Sequence, residues 1–160
     1  KLREVVARIN DMLCADIPEG RFITAAFGVI HPTNQQVDLI SAGQAPLLFY
    51  ESATATVHNW DADDLPLGVT DEIDFEAPRK ISFAPGDSLV LLTDGFFEAT
   101  NADGEQFGTA RVEQFICDHH DVRPTDFIER LYDQVQAHVA GEEQGDDLTA
   151  LIVKRTMETA

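Results

Sequence analysis

Two short acidic motifs stand out for the chemistry they could do. Asp94 closes the apolar run Leu89-Val90-Leu91-Leu92-Thr93 and is followed by Gly95. Asp146-Asp147 comes just before a second strand-like run, Leu148 to Val153. A carboxylate fixed at the end of a rigid strand, beside a glycine that lets the backbone turn away, suits a hard divalent cation. Two aspartates from different strand ends can share one Mg²⁺ or Mn²⁺ and leave its other positions to water, which then serves as nucleophile in phosphoryl transfer. Taken singly, each motif is more often a turn or a loop. The pair gains weight only if the fold brings the two strand ends together.

Other arrangements are weaker. No Ser-His-Asp or Cys-His set can be placed, and no Walker-type phosphate loop occurs. Asn101-Ala102-Asp103-Gly104-Glu105 lacks the rhythm of a calcium loop and reads as a turn. His119-His120-Asp121 suggests a metal cluster, but adjacent histidines at a helix end point to different sides, and one suits the C-terminal dipole. His31, His58 and His138 read as isolated surface residues, and Trp60 as a core plug. Cys14 and Cys117 lack CxxC spacing and lie in apolar, helix-like segments, which fits reduced core residues of a cytoplasmic protein.

The elements that must position these groups follow from periodicity. Leu2, Val5, Val6, Ile9, Met12 and Leu13 recur at helical spacing and predict a helix over 2–14, broken by Asp16-Ile17-Pro18-Glu19-Gly20. Arg21 to Ile30 reads as a buried strand, and His31 to Gln35 as a turn. Strands follow at Gln36–Ser41, Leu47–Tyr50 and Thr54–Trp60, a short spacing that implies an antiparallel meander. One or two strand segments fall within Ile73–Phe83, and Asp87–Thr93 is a central strand apolar on both faces. Helices are predicted near 109–119, with a seam of Val112, Phe115 and Ile116, and from Pro124 onward, with Phe127, Ile128, Leu131, Val135 and Val139 inward. Gly141 to Gly145 reads as an exposed loop and 154–160 as a fraying tail. Strands first, then two helices, then one strand is an α+β layout, with two stacked, mainly antiparallel sheets flanked by helices as the natural architecture.

The chain has 160 residues and 44% apolar content, enough for one domain with a core. No apolar run approaches the roughly 20 residues that span a bilayer. The start shows no signal-peptide pattern and reads as the middle of something longer. Eleven basic residues against 29 acidic ones give −18, a balance that repels phosphate backbones and argues against nucleic acid. It favours cations and basic protein surfaces, or simply solubility.

Six segments occur in an order that carries a resemblance: Phe22 to Val29, Ser41-Ala42-Gly43-Gln44-Ala45-Pro46-Leu47-Leu48, Leu65-Pro66-Leu67-Gly68-Val69, Pro85-Gly86-Asp87 with Thr93-Asp94-Gly95 and Glu98-Ala99, Phe107-Gly108, and Asp146-Asp147-Leu148-Thr149. Together they resemble the SpoIIE-like branch of bacterial metal-dependent protein serine/threonine phosphatases, the PPM superfamily. The match runs from about residue 1 to 155, with 156–160 as tail. The resemblance implies a sandwich of two antiparallel sheets flanked by helices, with a Mn²⁺ or Mg²⁺ pair between them. It implies hydrolysis of phosphoserine or phosphothreonine by metal-activated water. The expected partners are a phosphorylated regulator, such as a STAS-domain anti-sigma antagonist, and an upstream sensory or receiver domain. By the same resemblance Asp94, Gly95 and Asp146 belong to the metal site, and Asp147 holds the neighbouring, supporting position.

This sequence departs from the family pattern in two places. The opening strands with a metal-bridging Asp and a Gly-Asp-x-x-Gly-x-Gly segment do not occur here, so the domain is expected to be incomplete at its N-terminus. Gln44 stands where many relatives have His. A pseudophosphatase that binds a sigma regulator without turnover is therefore the alternative. With Asp94 and Asp146 alone, the chain is expected to hold metal too weakly for turnover and to be inactive by itself. Calorimetric titration with Mn²⁺ should show no tight pair of sites; two tight sites would contradict this.

Overall fold

The structure is a computed structural model that describes residues 1–18, 20–141 and 145–156. It resolves into two compact units: Lys1–Pro46 with Trp60–Phe83, and Leu47–Asn59 with the chain from Ala84 onward.

The first unit contains helix α1 (Leu2–Asp16) and strands β1 (Ala25–His31), β2 (Gln36–Ala42) and β5 (Arg79–Ser82). The strands form a three-stranded antiparallel sheet in the order β1-β2-β5. Pro32–Asn34 makes a single 3₁₀ turn between β1 and β2, and Gln35 closes it with a positive φ. α1 contributes Val6 to a cluster with Ile40, Ala42, Leu67 and Phe75. Its Asn10, 1% exposed, accepts from the Gly68 amide (2.9 Å) and donates to the Thr70 carbonyl (2.8 Å). Gly68 has φ +84°, a backbone conformation that L side chains rarely adopt, and a Cβ there would also press on the end of the Ile17 side chain just beyond α1.

The second unit holds β3 (Leu47–Glu51), β4 (Thr56–Trp60), β6 (Ser88–Leu92), β7 (Ala150–Lys154), α2 (Gly95–Glu98), α3 (Gly108–Asp118) and α4 (Pro124–Val139). Its sheet has the order β4-β3-β6-β7. Leu48, Tyr50, Val90 and Leu92 project from one face of this sheet into a core shared with Phe96, Phe97, Val112, Phe115, Ile116, Phe127, Leu131 and Val135. α4 forms because Pro124 presets the first turn and Phe127, Leu131, Val135 and Val139 recur every four residues, giving one buried stripe. α3 buries Val112, Phe115 and Ile116, the predicted seam.

Several expectations are corrected. β1 is an edge strand, not a buried one: Val29 and Ile30 are 39% and 54% exposed, and the stretch 21–24 precedes it. The meander is broken, because β2 and β3 belong to different sheets. Residues 73–83 supply one strand. Trp60 is half-buried, with the Arg79 guanidinium 4.8 Å from its ring centroid, and is no core plug. His31 and His58 pair with Asp38 and Glu51, and His138 bonds the Glu105 carbonyl, so none is isolated. His119 stacks on Phe115 and His120 on Tyr50. Both cysteines are free but only half-buried; burial, helped by Asp118 and Glu113, pushes the Cys117 thiol up and keeps it protonated. The Asn101–Glu105 turn is observed, with Asn101 Oδ1 accepting from the Asp103 and Glu105 amides. Residue 19 of the first break, 142–144 of the exposed loop and 157–160 of the tail lie outside the described residues.

The start of β6 is held by Asp87, 2% exposed. Its carboxylate accepts from the Ser52 amide (2.8 Å), the Ser52 hydroxyl (2.9 Å) and the Ala84 amide (2.7 Å). Removing it strands the Ser52 and Ala84 amides and leaves the Ser52 hydroxyl only the Pro85 carbonyl (3.1 Å) as acceptor. Asp87→Ala should destabilise the protein by roughly 3 kcal/mol in urea unfolding, whereas Asp103→Ala in the exposed turn should stay within about 0.5 kcal/mol.

Candidate metal centre

β6 and β7 pair antiparallel from Ser88↔Lys154 to Leu92↔Ala150. The chain leaving β6 therefore lies beside the chain entering β7. Asp94 is two residues beyond the first, and Asp146 four residues before the second. The ladder continues past its last strand pair, since the Thr93 amide donates to the Thr149 carbonyl (3.0 Å). The Thr93 hydroxyl accepts from the Thr149 amide (2.9 Å) and donates to the Asp147 carbonyl (2.9 Å).

Gly95 brings the two segments closer still. A Cβ on it would stand 2.7 Å from the Asp147 carbonyl oxygen and 3.1 Å from Leu148 Cδ2. Its φ is not positive, which corrects the expected reason for glycine: it is the close approach of a second backbone, and not a sharp turn. Gly95 is buried and opens α2, a short helix not anticipated from the sequence, and Asp94 is its N-cap.

Asp94, Asp146 and Asp147 are all exposed. Asp94 Oδ1 accepts from the Gly95 amide (3.1 Å) and Asp146 Oδ1 from the Asp147 amide (2.7 Å). Each such bond fixes a carboxylate against its own turn. Asp147 serves the junction through its backbone. Gly95 and Asp146 also line one cavity of about 230 Å³, together with Glu98, Gln136 and Leu148.

The donors here are hard carboxylate oxygens, the type that suits Mg²⁺ or Mn²⁺. Gly95 leaves the space in which the two backbones meet. In kind, then, the residues fit a hard cation held through one or two carboxylates, with the remaining positions left to water or phosphate oxygen. In number they are few: among the described residues, no three His, Cys, Asp or Glu side chains are grouped so as to hold a metal. Sequence reasoning missed Thr93 and the approach at Gly95. The hydroxyl residue at 93, directly before Asp94, is the signal that was present.

The family profile for Stage II sporulation protein E (SpoIIE) matches residues 1–156. The chain belongs to the SpoIIE family. It is similar to the phosphoserine phosphatase RsbU of Bacillus subtilis (22% identity over 152 residues, 95% of this chain and 44% of the relative). It is similar to protein IcfG of Synechocystis (26% over 134 residues, 84% of this chain and 21% of the relative). In fold it resembles the PP2C phosphatase domain of SpoIIE from Bacillus subtilis (TM-score 0.77, 18% identity, 96% of this chain and 44% of that one). That likeness matches the observed α+β class of two antiparallel sheets with helices. The chain spans less than half the length of the curated relatives it matches. Among the described residues no helix is long and apolar enough to cross a membrane.

Gly95→Ala tests the close approach. The added methyl meets a backbone oxygen that cannot rotate away, so the variant should lose about 1–3 kcal/mol of stability in urea unfolding, and cross-peaks of residues 93–95 and 147–149 should shift together in an amide NMR spectrum.

Proposed function

We propose that this chain is the catalytic part of a metal-dependent protein serine/threonine phosphatase of a bacterial signalling pathway. Its substrate on this reading is phosphoserine or phosphothreonine on a protein regulator of the partner-switching type, such as a STAS-domain anti-sigma antagonist. Residues 1–155 would be the C-terminal portion of the phosphatase domain, working behind a sensory or receiver domain in the cytoplasm. The observation that carries this reading is the junction of the Asp94 and Asp146 segments at one end of β6 and β7, within a chain of the SpoIIE family. The phosphoserine phosphatase activity in the name of the relative RsbU supports it.

Asp94 and Asp146 would hold the cation, Mn²⁺ or Mg²⁺, with Asp147 beside them. When bound, it polarises a phosphoryl oxygen and lowers the pKa of water. The chain's own contribution is positional and electrostatic. β6 and β7 fix where the carboxylates start, and Gly95 lets the loops close. The net charge of −18 opposes a phosphorylated substrate until positive charge is present at the rim, so substrate binding should depend on the metal.

One observation favours a second reading, a pseudophosphatase module that binds a sigma regulator without turnover: no described group of three ligating side chains exists. Hydrolysis of a phosphoserine peptide by the full-length protein separates the two. The phosphatase reading expects Mn²⁺-dependent turnover that Asp94→Asn lowers by roughly 100-fold, the scale of losing one group that stabilises transition-state charge. Metal-independent background rates in both proteins, with regulator binding intact, would leave the module.

A further inference from the structure

We propose that Thr93 is a positioning residue for the cation site, acting as a hydroxyl lock between the segments that carry Asp94 and Asp146. This rests on the metal-centre reading above and deepens it. Thr93 touches no ligand in the proposed role; it acts through the backbone. Its hydroxyl uses both capacities at once, accepting from the Thr149 amide and donating to the Asp147 carbonyl, each at 2.9 Å. Its amide makes a third bond to the Thr149 carbonyl. One residue beyond the last pair of the β6–β7 ladder therefore binds the 147–149 backbone three times.

The Asp147 carbonyl is the pivot. It faces the Thr93 hydroxyl on one side and the bare Cα of Gly95 on the other. Asp146 is the residue immediately before it, and Asp94 lies between the two residues that hold it. Fixing this carbonyl fixes the relative placement of the two aspartate backbones. Without the hydroxyl, the segment ahead of β7 loses two of the three bonds that Thr93 makes to it and is held less firmly at Asp147 and Thr149. Carboxylates tethered to loops held less firmly hold a cation less well, because ordering them costs entropy on binding.

Serine would keep the hydroxyl, and valine would keep the branched shape while losing both hydroxyl bonds. The test uses the 160-residue chain labelled with ¹⁵N, and Mn²⁺ itself as probe. Paramagnetic broadening detects even weak binding. In the unmodified chain the Gly95 and Asp147 amide signals should be lost first and together. In Thr93→Val the Mn²⁺ concentration for equal broadening should rise roughly fivefold, equivalent to about 1 kcal/mol. Exchange of the Thr149 amide with solvent should speed up by a similar factor, and Thr93→Ser should restore both. Selective broadening that Thr93→Val leaves unmoved overturns the lock alone. Faster Thr149 exchange without a change in broadening marks the hydroxyl as structural only, and also overturns it. No selective broadening in the unmodified chain removes the cation site, and the lock with it.

Discussion

The antiparallel pairing of β6 with β7 is the constraint on which the candidate site depends. An antiparallel ladder places the end of one strand beside the beginning of the next, whatever the length of chain between them. Here more than fifty residues, including α2, α3 and α4, separate Asp94 from Asp146. The ladder brings their backbones to one rim, and the Thr93–Thr149 and Gly95–Asp147 contacts extend it past its formal end. The helices in between serve this arrangement by covering one face of the sheet, where Val90 and Leu92 meet Phe96, Phe115 and Leu131.

Parts of this were legible from residue types alone. α3 and α4 announced themselves because their apolar residues fall on one stripe, and β6 because Leu89 to Leu92 is unbroken. The aspartates drew notice by position, at the ends of strands. What could not be read was pairing. Nothing in Gln36–Ala42 or Leu47–Glu51 says that the two strands join different sheets, since sheet membership is decided by partners far along the chain. β1 looked buried because Val29 and Ile30 are apolar, yet an edge strand can leave such residues exposed. His31, His58 and His138 looked alone because their partners, Asp38, Glu51 and the Glu105 carbonyl, reach them only through strand pairing or packing. Gly95 was recognised as a glycine of consequence for the wrong physical reason.

The remaining family motifs hold the fold. The Leu65 to Val69 segment meets α1 through Asn10, a buried side chain that bonds Gly68 and Thr70. The Ser41 to Pro46 segment is tied in by the Ser41 amide on Asp63 and the Gly43 amide on the Asp64 carbonyl. Much of the resemblance that spans the chain is thus a record of packing. Low identity with a shared architecture is what such a record produces, because packing tolerates substitution more freely than a donor set does.

The Asp87 carboxylate at the opposite end of β6 has a consequence for that junction. Strand pairing repeats every residue, and a slide of one step would move Asp94 along the rim by about 3.3 Å while turning every side chain of β6 to the other face. Asp87 grips Ser52 and the Ala84 turn, so the strand has a fixed zero from which its residues are counted. A buried acid with no chemistry of its own thereby sets the address at which an exposed acid, seven residues later, emerges.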